Sequence, residues 1–292
     1  MTATLPTLVA RPDRPVDAIV LAILRRTDAA TREMGINYFV GGALARDLIL
    51  MHVFGKDTGR ATRDVDLGIS INDWETLALL KANLIGGGDF HEQKGMAHRL
   101  IYKVQENANG IPLDLLPFGG VAQTDMTIAW PPDIDVVMSV AGFSEAHQSS
   151  LTIDLGEGLL VPVASLPALA MLKLIAWRDR HLETAKDVTD FLLIARHYHE
   201  AGNIDRLYDT EPDLLIETEY DPELAGAILL GKDVAAISSE STAGMLASIM
   251  GGTQTRQRML DQLLRASLSS GDEIIASRVE GVLNAFHRGL QR

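Results

Sequence analysis

Apolar residues recur at helical spacing over residues 17–34, where Ile19, Ile23 and Leu24 share one side and Arg25, Arg26 and Arg32 are left for solvent. This spacing predicts a helix, and Gly35 stops it. Residues 36–40 then read as a short strand, and residues 43–52 as a helix opened by Gly41-Gly42. Residues 54–61, with Gly55 and Gly59, read as a loop, and residues 65–69 as a second strand. Ser70 or Asn72 is placed to cap a helix over 74–84, which Gly86-Gly87-Gly88 breaks. Residues 100–104 alternate toward Asn109-Gly110, a turn signal, and 111–118 return as the second arm of a hairpin.

Around this series the chain is less regular. Residues 1–15, with Pro6, Pro12 and Pro15, read as an irregular lead-in. Strands are expected over 136–140, 151–155 and 159–163, extending the sheet or forming a flap beside it. From Ala168 the pattern is helical to the end, with breaks near Gly202, Pro212, Pro222, Gly231 and Gly251-Gly252. The expected fold class is therefore α/β (α+β): a small mixed β-sheet with helices on one side, over residues 1–163, followed by a mainly helical C-terminal domain, 164–292.

Composition narrows the class. The 292 residues are 47% hydrophobic and 22% charged, an ordinary globular balance with enough chain for real cores. No uncharged apolar run is long enough to span a bilayer and no basic segment leads into an apolar one at the N-terminus, so a soluble, cytoplasmic protein without a membrane partner is expected. The absence of cysteine removes disulfides, Cys-based zinc sites and thiolate nucleophiles. Net charge is −13, and residues 121–170 carry six acidic residues and no basic one. An extended nucleic-acid surface is thus not expected, although Arg46, Lys56, Arg60 and Arg63 leave room for a local basic cleft.

The chemistry concentrates in the first half. Asp64 and Asp66 are two residues apart on a strand, which sets their carboxylates on one face, roughly 7 Å apart. Like charges so placed are relieved by a divalent cation or a shared proton. Asp114, between the apolar Leu113 and Leu115, is a third carboxylate on a later strand. Together they suit one or two Mg²⁺ ions, with Mn²⁺ as the alternative, and Asp114 is placed either as a ligand or as a general base. Strand-end aspartates also serve simply as caps and solvated edges. Gly41-Gly42, opening a helix, offers free backbone N–H groups to phosphate or forms a plain turn. On that helix, Arg46 is a candidate phosphate contact and Asp47 a partner for a basic neighbour or a loop amide. Arg63 either contacts the nucleotide or offsets the aspartates.

In the helical half, Lys173 interrupts the apolar face of residues 165–180 and shares a side with Trp177. It either snorkels to water or reaches the β- and γ-phosphates of a nucleotide across a cleft. Arg180, Lys186, Asp187 and Asp190 form a charged cluster in which the aspartates can pin Arg180 or Lys186. His197 and His199 fall on opposite sides of a helix and make no zinc pair.

The combination of residues 40–47 (Val-Gly-Gly-Ala-Leu-Ala-Arg-Asp), 63–67 (Arg-Asp-Val-Asp-Leu) and 113–115 (Leu-Asp-Leu) resembles the DNA polymerase β-like nucleotidyltransferase superfamily. The segment 170–178 around Lys173, followed by Arg180 and residues 186–190 (Lys-Asp-Val-Thr-Asp), resembles the AbiEii/AbiGii-type toxin nucleotidyltransferases, while residues 41–47 (Gly-Gly-Ala-Leu-Ala-Arg-Asp) carry a secondary likeness to tRNA nucleotidyltransferases. The resemblance implies that Gly41 and Gly42 hold a triphosphate, that Asp64, Asp66 and Asp114 bind metal, and that Lys173 contacts the nucleotide. It further implies transfer of NMP from an NTP to an acceptor hydroxyl with release of pyrophosphate, under the control of an antitoxin. The acceptor stays open among a tRNA end, a protein and a small molecule. The alternative is a non-catalytic nucleotide- or partner-binding protein that keeps the fold.

Overall fold

The computed structural model describes residues 7–59, 62, 64–104, 107–131, 137–267 and 273–292. They form two compact units, residues 1–165 and 166–292. The first contains β1 (Leu8–Val9), α1 (Ala18–Glu33), β2 (Asn37–Val40) and α2 (Gly42–Asp47), which a π-helical segment, Leu48–Val53, prolongs. There follow β3 (Val65–Ile71), α3 (Trp74–Gly86), β4 (Phe90–Glu92), β5 (Arg99–Val104), β6 (Asn107–Gly119), β7 (Thr127–Ala129), β8 (Val137–Ser139), α4 (Phe143–Gln148), β9 (Leu151–Asp154) and β10 (Leu160–Val163).

Eight strands make one mixed sheet in the order β1-β9-β10-β2-β3-β6-β5-β4, while β7 and β8 form a separate ribbon. The β1/β9, β10/β2 and β3/β6 pairs are parallel and the others antiparallel. Strict alternation along β3 buries Val65, Leu67, Ile69 and Ile71 on one face and leaves Asp66 and Ser70 only half-buried on the other. On the first face Tyr38 donates to Asp28 of α1 at 3.0 Å. On the second, Phe143 of α4 packs against Phe39 and Phe118, with ring centres 5.9 and 6.0 Å away. Helices thus cover both faces, not one.

Three local expectations are corrected in this unit. Asp73, rather than Ser70 or Asn72, caps α3: its carboxylate accepts from the Thr76 amide at 2.7 Å, whereas Ser70 is still in β3. Leu8–Val9 is an edge strand in the lead-in, held by the Ala10 amide on the Asp154 carbonyl at 2.9 Å. Asn109-Gly110 is not a turn but part of β6, beside a register shift between Tyr102 and Val104. Gly110 has φ +63°, and a β-carbon there would lie 2.4 Å from the Tyr102 carbonyl, so this irregularity requires glycine.

The second unit is helical: α5 (Leu166–Arg180), α6 (Lys186–His197), a π-helical turn His199–Asn203, α7 (Ile204–Asp209), α8 (Pro212–Glu217), α9 (Pro222–Ile237), α10 (Glu240–Gly251), α11 (Thr253–Ser267) and α12 (Glu273–Leu290). Pro212 and Pro222 start helices, as their missing N–H favours. Gly231, expected as a break, lies inside α9. A β-carbon on it would sit 2.3 Å from the Phe286 carbonyl of α12, so its small size permits close helix packing. No helix among the described residues is long and apolar enough to cross a membrane.

Candidate active site

The parallel register of β3 and β6 sets Asp66 opposite Asp114. Paired residues on adjacent strands share a face, so the two carboxylates are lateral neighbours despite 47 intervening positions in the chain. Asp64, immediately before β3, is exposed; Asp66 is half-buried and Asp114 is buried. The structure therefore brings Asp66 and Asp114 together and leaves Asp64 two residues along the chain, at the solvent end.

The Gly41-Gly42 junction meets the same strand. The Gly41 amide donates to the Asp66 carbonyl at 2.8 Å, fixing the start of α2 against β3. Gly42 has φ +63°, and a β-carbon on it would fall 1.9 Å from Asp66 Oδ2 and 2.7 Å from Cγ. The first turn of α2 and the second carboxylate are thus in contact, and only glycine fits between them.

Arg46 and Asp47 are both buried. The guanidinium donates from Nε and Nη2 to Asp47 Oδ1 at 2.9 and 2.6 Å, and the Thr62 amide donates to Oδ2 at 3.3 Å. Asp47 therefore takes both partners proposed for it, a basic neighbour and a loop amide. Arg46 is only 1% exposed, and its contacts brace the segment before Asp64. Arg63 lies outside the described residues.

Sequence patterning passed over Arg99. It faces Asp114 across β5 and β6 and donates from Nε to Oδ1 at 2.6 Å and from Nη2 to Oδ2 at 2.7 Å. The hydrogen bonds to Asp114 raise the guanidinium above its ordinary pKa. Burial opposes the rise, and the charges of Asp114, Asp64 and Asp66 add to it. Next to it, His98 packs at a tilt against Trp130 with ring centres 5.7 Å apart, in a cavity of about 560 Å³ also lined by Lys81, Lys94 and Met96. Burial is the main cause of a lowered pKa at His98, against the opposing pull of Asp114.

Hard carboxylate oxygens in a row suit Mg²⁺ by donor chemistry. The row already attracts a cation of its own, the Arg99 guanidinium. In this arrangement it does not close into a full ligand set: among the described residues no group of three or more histidine, aspartate or glutamate side chains is disposed to hold a metal ion.

In the helical unit, Lys173 lies 3.2 Å from Asp187 and 2.8 Å from Asp190, while Arg180 grips Asp187 through Nε and Nη2 at 2.6 and 2.8 Å. Of the two basic partners considered for these aspartates, Asp187 takes Arg180. Trp177 is buried and donates to Gln262 Oε1 at 2.7 Å. His197 pairs with Glu200 at 2.9 Å.

Residues 23–265 match the family model described as nucleotidyl transferase AbiEii toxin, type IV TA system. No curated protein matches. Among solved structures, the chain is 17% identical to an antigenic nucleotidyltransferase-like protein from Paracoccidioides brasiliensis, over 73% of this chain and 95% of that one, with a TM-score of 0.40. ANT(2″)-Ia in complex with adenylyl-2″-tobramycin matches at 17% identity over 70% and 99%, with a TM-score of 0.38. The Thermotoga maritima CCA-adding enzyme complexed with tRNA matches at 14% over 96% and 82%, with a TM-score of 0.28.

Proposed function

The chain belongs to the AbiEii nucleotidyl transferase family, and we propose that its sheet carries out divalent-cation-dependent transfer of NMP from an NTP to an acceptor hydroxyl, with release of pyrophosphate. The observation that carries this reading is the register of Asp66 with Asp114, with Gly42 pressed against the Asp66 carboxylate. Metal-binding oxygens and the amides of a helix start then occupy one place, the two chemistries a triphosphate requires.

In this reading Asp64, Asp66 and Asp114 hold Mg²⁺, or Mn²⁺ in its place. The ion would supply charge neutralisation at the triphosphate and a lowered pKa for the acceptor hydroxyl. Gly42, at the start of α2, offers its backbone N–H to phosphate oxygens, while the Gly41 amide, given to the Asp66 carbonyl, holds that turn against β3. Asp114 orients the acceptor for in-line attack on the α-phosphorus; the hydroxyl proton passes to water, the acceptor oxygen forms the new P–O bond, and the bond from the α-phosphorus to the α,β-bridging oxygen breaks as pyrophosphate leaves. The Arg46 contact to phosphate is recast as support: Arg46 acts through Asp47, which holds the Thr62 amide and hence the approach to Asp64. Arg63 and Lys173 remain proposed nucleotide contacts, and Lys173 serves only by sharing its ammonium with Asp187 and Asp190.

The family's description as a toxin of a type IV system supports an antitoxin as the controlling partner. We take the protein to act in the cytoplasm on a tRNA end, another protein or a small hydroxyl compound; the acidic balance of the chain weighs against an extended nucleic-acid surface and leaves room only for a small contact on a tRNA end.

The test is transfer of label from each α-labelled NTP, with Mg²⁺, to pools of RNA, protein and small hydroxyl compounds. Labelled acceptor plus pyrophosphate is expected, and both vanish in Asp66→Asn. No product with any NTP would sink the proposal. The grip of Arg99 on Asp114 favours a second reading, a non-catalytic nucleotide-binding protein; metal-dependent NTP binding by calorimetry without any product would select it.

A further inference from the structure

Arg99, Asp114 and Asp66 are consecutive partners across β5, β6 and β3, so their side chains stand in one row on one face of the sheet. The Arg99 fork takes both oxygens of Asp114, and the pair is well shielded, with the side chains 24% and 11% exposed. Among the described residues, Asp64, Asp66 and Asp114 gather three carboxylates at the Arg99 guanidinium, whose pKa the charges of all three raise. A buried carboxylate is costly unless a cation offsets it, and for Asp114 the Arg99 guanidinium does so.

We infer that Arg99 is a positioning residue that occupies Asp114 in place of a divalent cation, so that Asp114 becomes a ligand only when the guanidinium is displaced. The inference rests on the nucleotidyltransferase reading for the purpose of the cation, while the competition itself is read without nucleotide or acceptor. A monopositive fork bonded to a carboxylate repels a dipositive ion approaching the same oxygens. The same fork holds Asp114 oriented and its charge compensated while no ion is present, which a buried carboxylate needs. Arg99 therefore sets both the geometry of Asp114 and the affinity of the row for a cation.

The experiment is Mn²⁺ binding to the full chain, followed by electron paramagnetic resonance of the free ion, with thermal melting of each variant as the check on folding. Arg99→Gln is expected to bind Mn²⁺ about tenfold more tightly, since the row loses one positive charge and Asp114 loses the fork on both its oxygens. Arg99→Lys keeps the charge and stays near wild type; Arg99→Gln combined with Asp114→Asn loses the gain. Equal or weaker binding by Arg99→Gln overturns the inference, as does an equal gain in Arg99→Lys.

If Arg99→Gln does not fold, the wild-type chain labelled with ¹⁵N-arginine provides the measurement. Saturating Mg²⁺ should move the Nε–H signal that is missing from Arg99→Lys, and an unmoved signal overturns the inference. The two failures separate cleanly. Unchanged Mn²⁺ binding in both Asp66→Asn and Asp114→Asn would remove the cation site and the functional reading with it. Loss of binding in those variants, with no gain in Arg99→Gln, would remove only the role of Arg99.

Discussion

The carboxylate of Asp66 lies against the α-carbon of Gly42, so closely that a β-carbon at position 42 would sit 1.9 Å from Oδ2. Gly42→Ala therefore adds left-handed backbone strain, at about 1–3 kcal/mol, and pushes the Asp66 carboxylate aside. The flexible carboxylate can yield, so activity should suffer more than stability: a displacement of about 1 Å costs on the order of hundredfold in rate. Gly41→Ala is the control, since its β-carbon meets nothing nearer than the Phe39 ring at 3.5 Å. Melting curves and initial rates of NMP transfer on the two variants should separate in this order.

Asp64→Asn and Asp66→Asn should each lower transfer by about a hundredfold or more, because each removes one anionic oxygen donor from a site that must offset triphosphate charge. Asp64 is exposed, so its replacement should leave the melting temperature unchanged. Rates and melts measured together check both statements. A fully active Asp64→Asn would remove that residue from the site.

Local motifs were legible in the sequence where one short segment carried the whole signal. Asp64 and Asp66 are two apart, and Gly41-Gly42 abuts a helical pattern, so both readings needed only strand and helix periods. Arg99 was hidden by register. A turn at Asn109-Gly110 sets Gln105 opposite Asp114, whereas the observed pairing sets Arg99 there. Counting back from Asp114 across the hairpin would find the arginine only with the turn moved toward the start of β6. The coverage of both sheet faces was hidden for a related reason: α4 is six residues long, too short for its apolar period to stand out. Gly231 misled because glycine signals breaks and close packing alike, and only the α12 neighbour decides between them.

The Arg46–Asp47 pair should be worth more when broken than when present. Both side chains are almost wholly buried, at 1% and 4% exposure. Asp47→Ala leaves a guanidinium without its carboxylate in the interior and also releases the Thr62 amide, so a loss of about 3–5 kcal/mol is expected. Urea unfolding measures it. Asp47→Asn should fall between, since it keeps an acceptor for Arg46 or Thr62 but not the charge. If Asp47→Ala unfolds at the wild-type midpoint, the pair does not brace the site.

Asp187 makes the helical unit sensitive to acid. Burial by itself would raise its carboxyl, but the Arg180 hydrogen bonds and the Lys173 charge outweigh that and hold it below the ordinary carboxylate value. A group whose pKa is lower folded than unfolded contributes stability above the unfolded pKa and loses it as pH falls through the folded one. The contribution is therefore complete at neutral pH, begins to fall near about pH 4, the unfolded carboxylate range, and is gone only once the pH has passed below the lower folded value. Asp187→Asn removes this slope and lowers stability at pH 7, by about 2 kcal/mol, because Lys173 keeps Asp190 and the half-exposed Arg180 can turn to water. Melting temperatures of the wild-type chain and the variant should be several degrees apart at pH 7 and converge toward pH 3. Parallel curves across that range would mean that Asp187 titrates alike in the folded and unfolded chains.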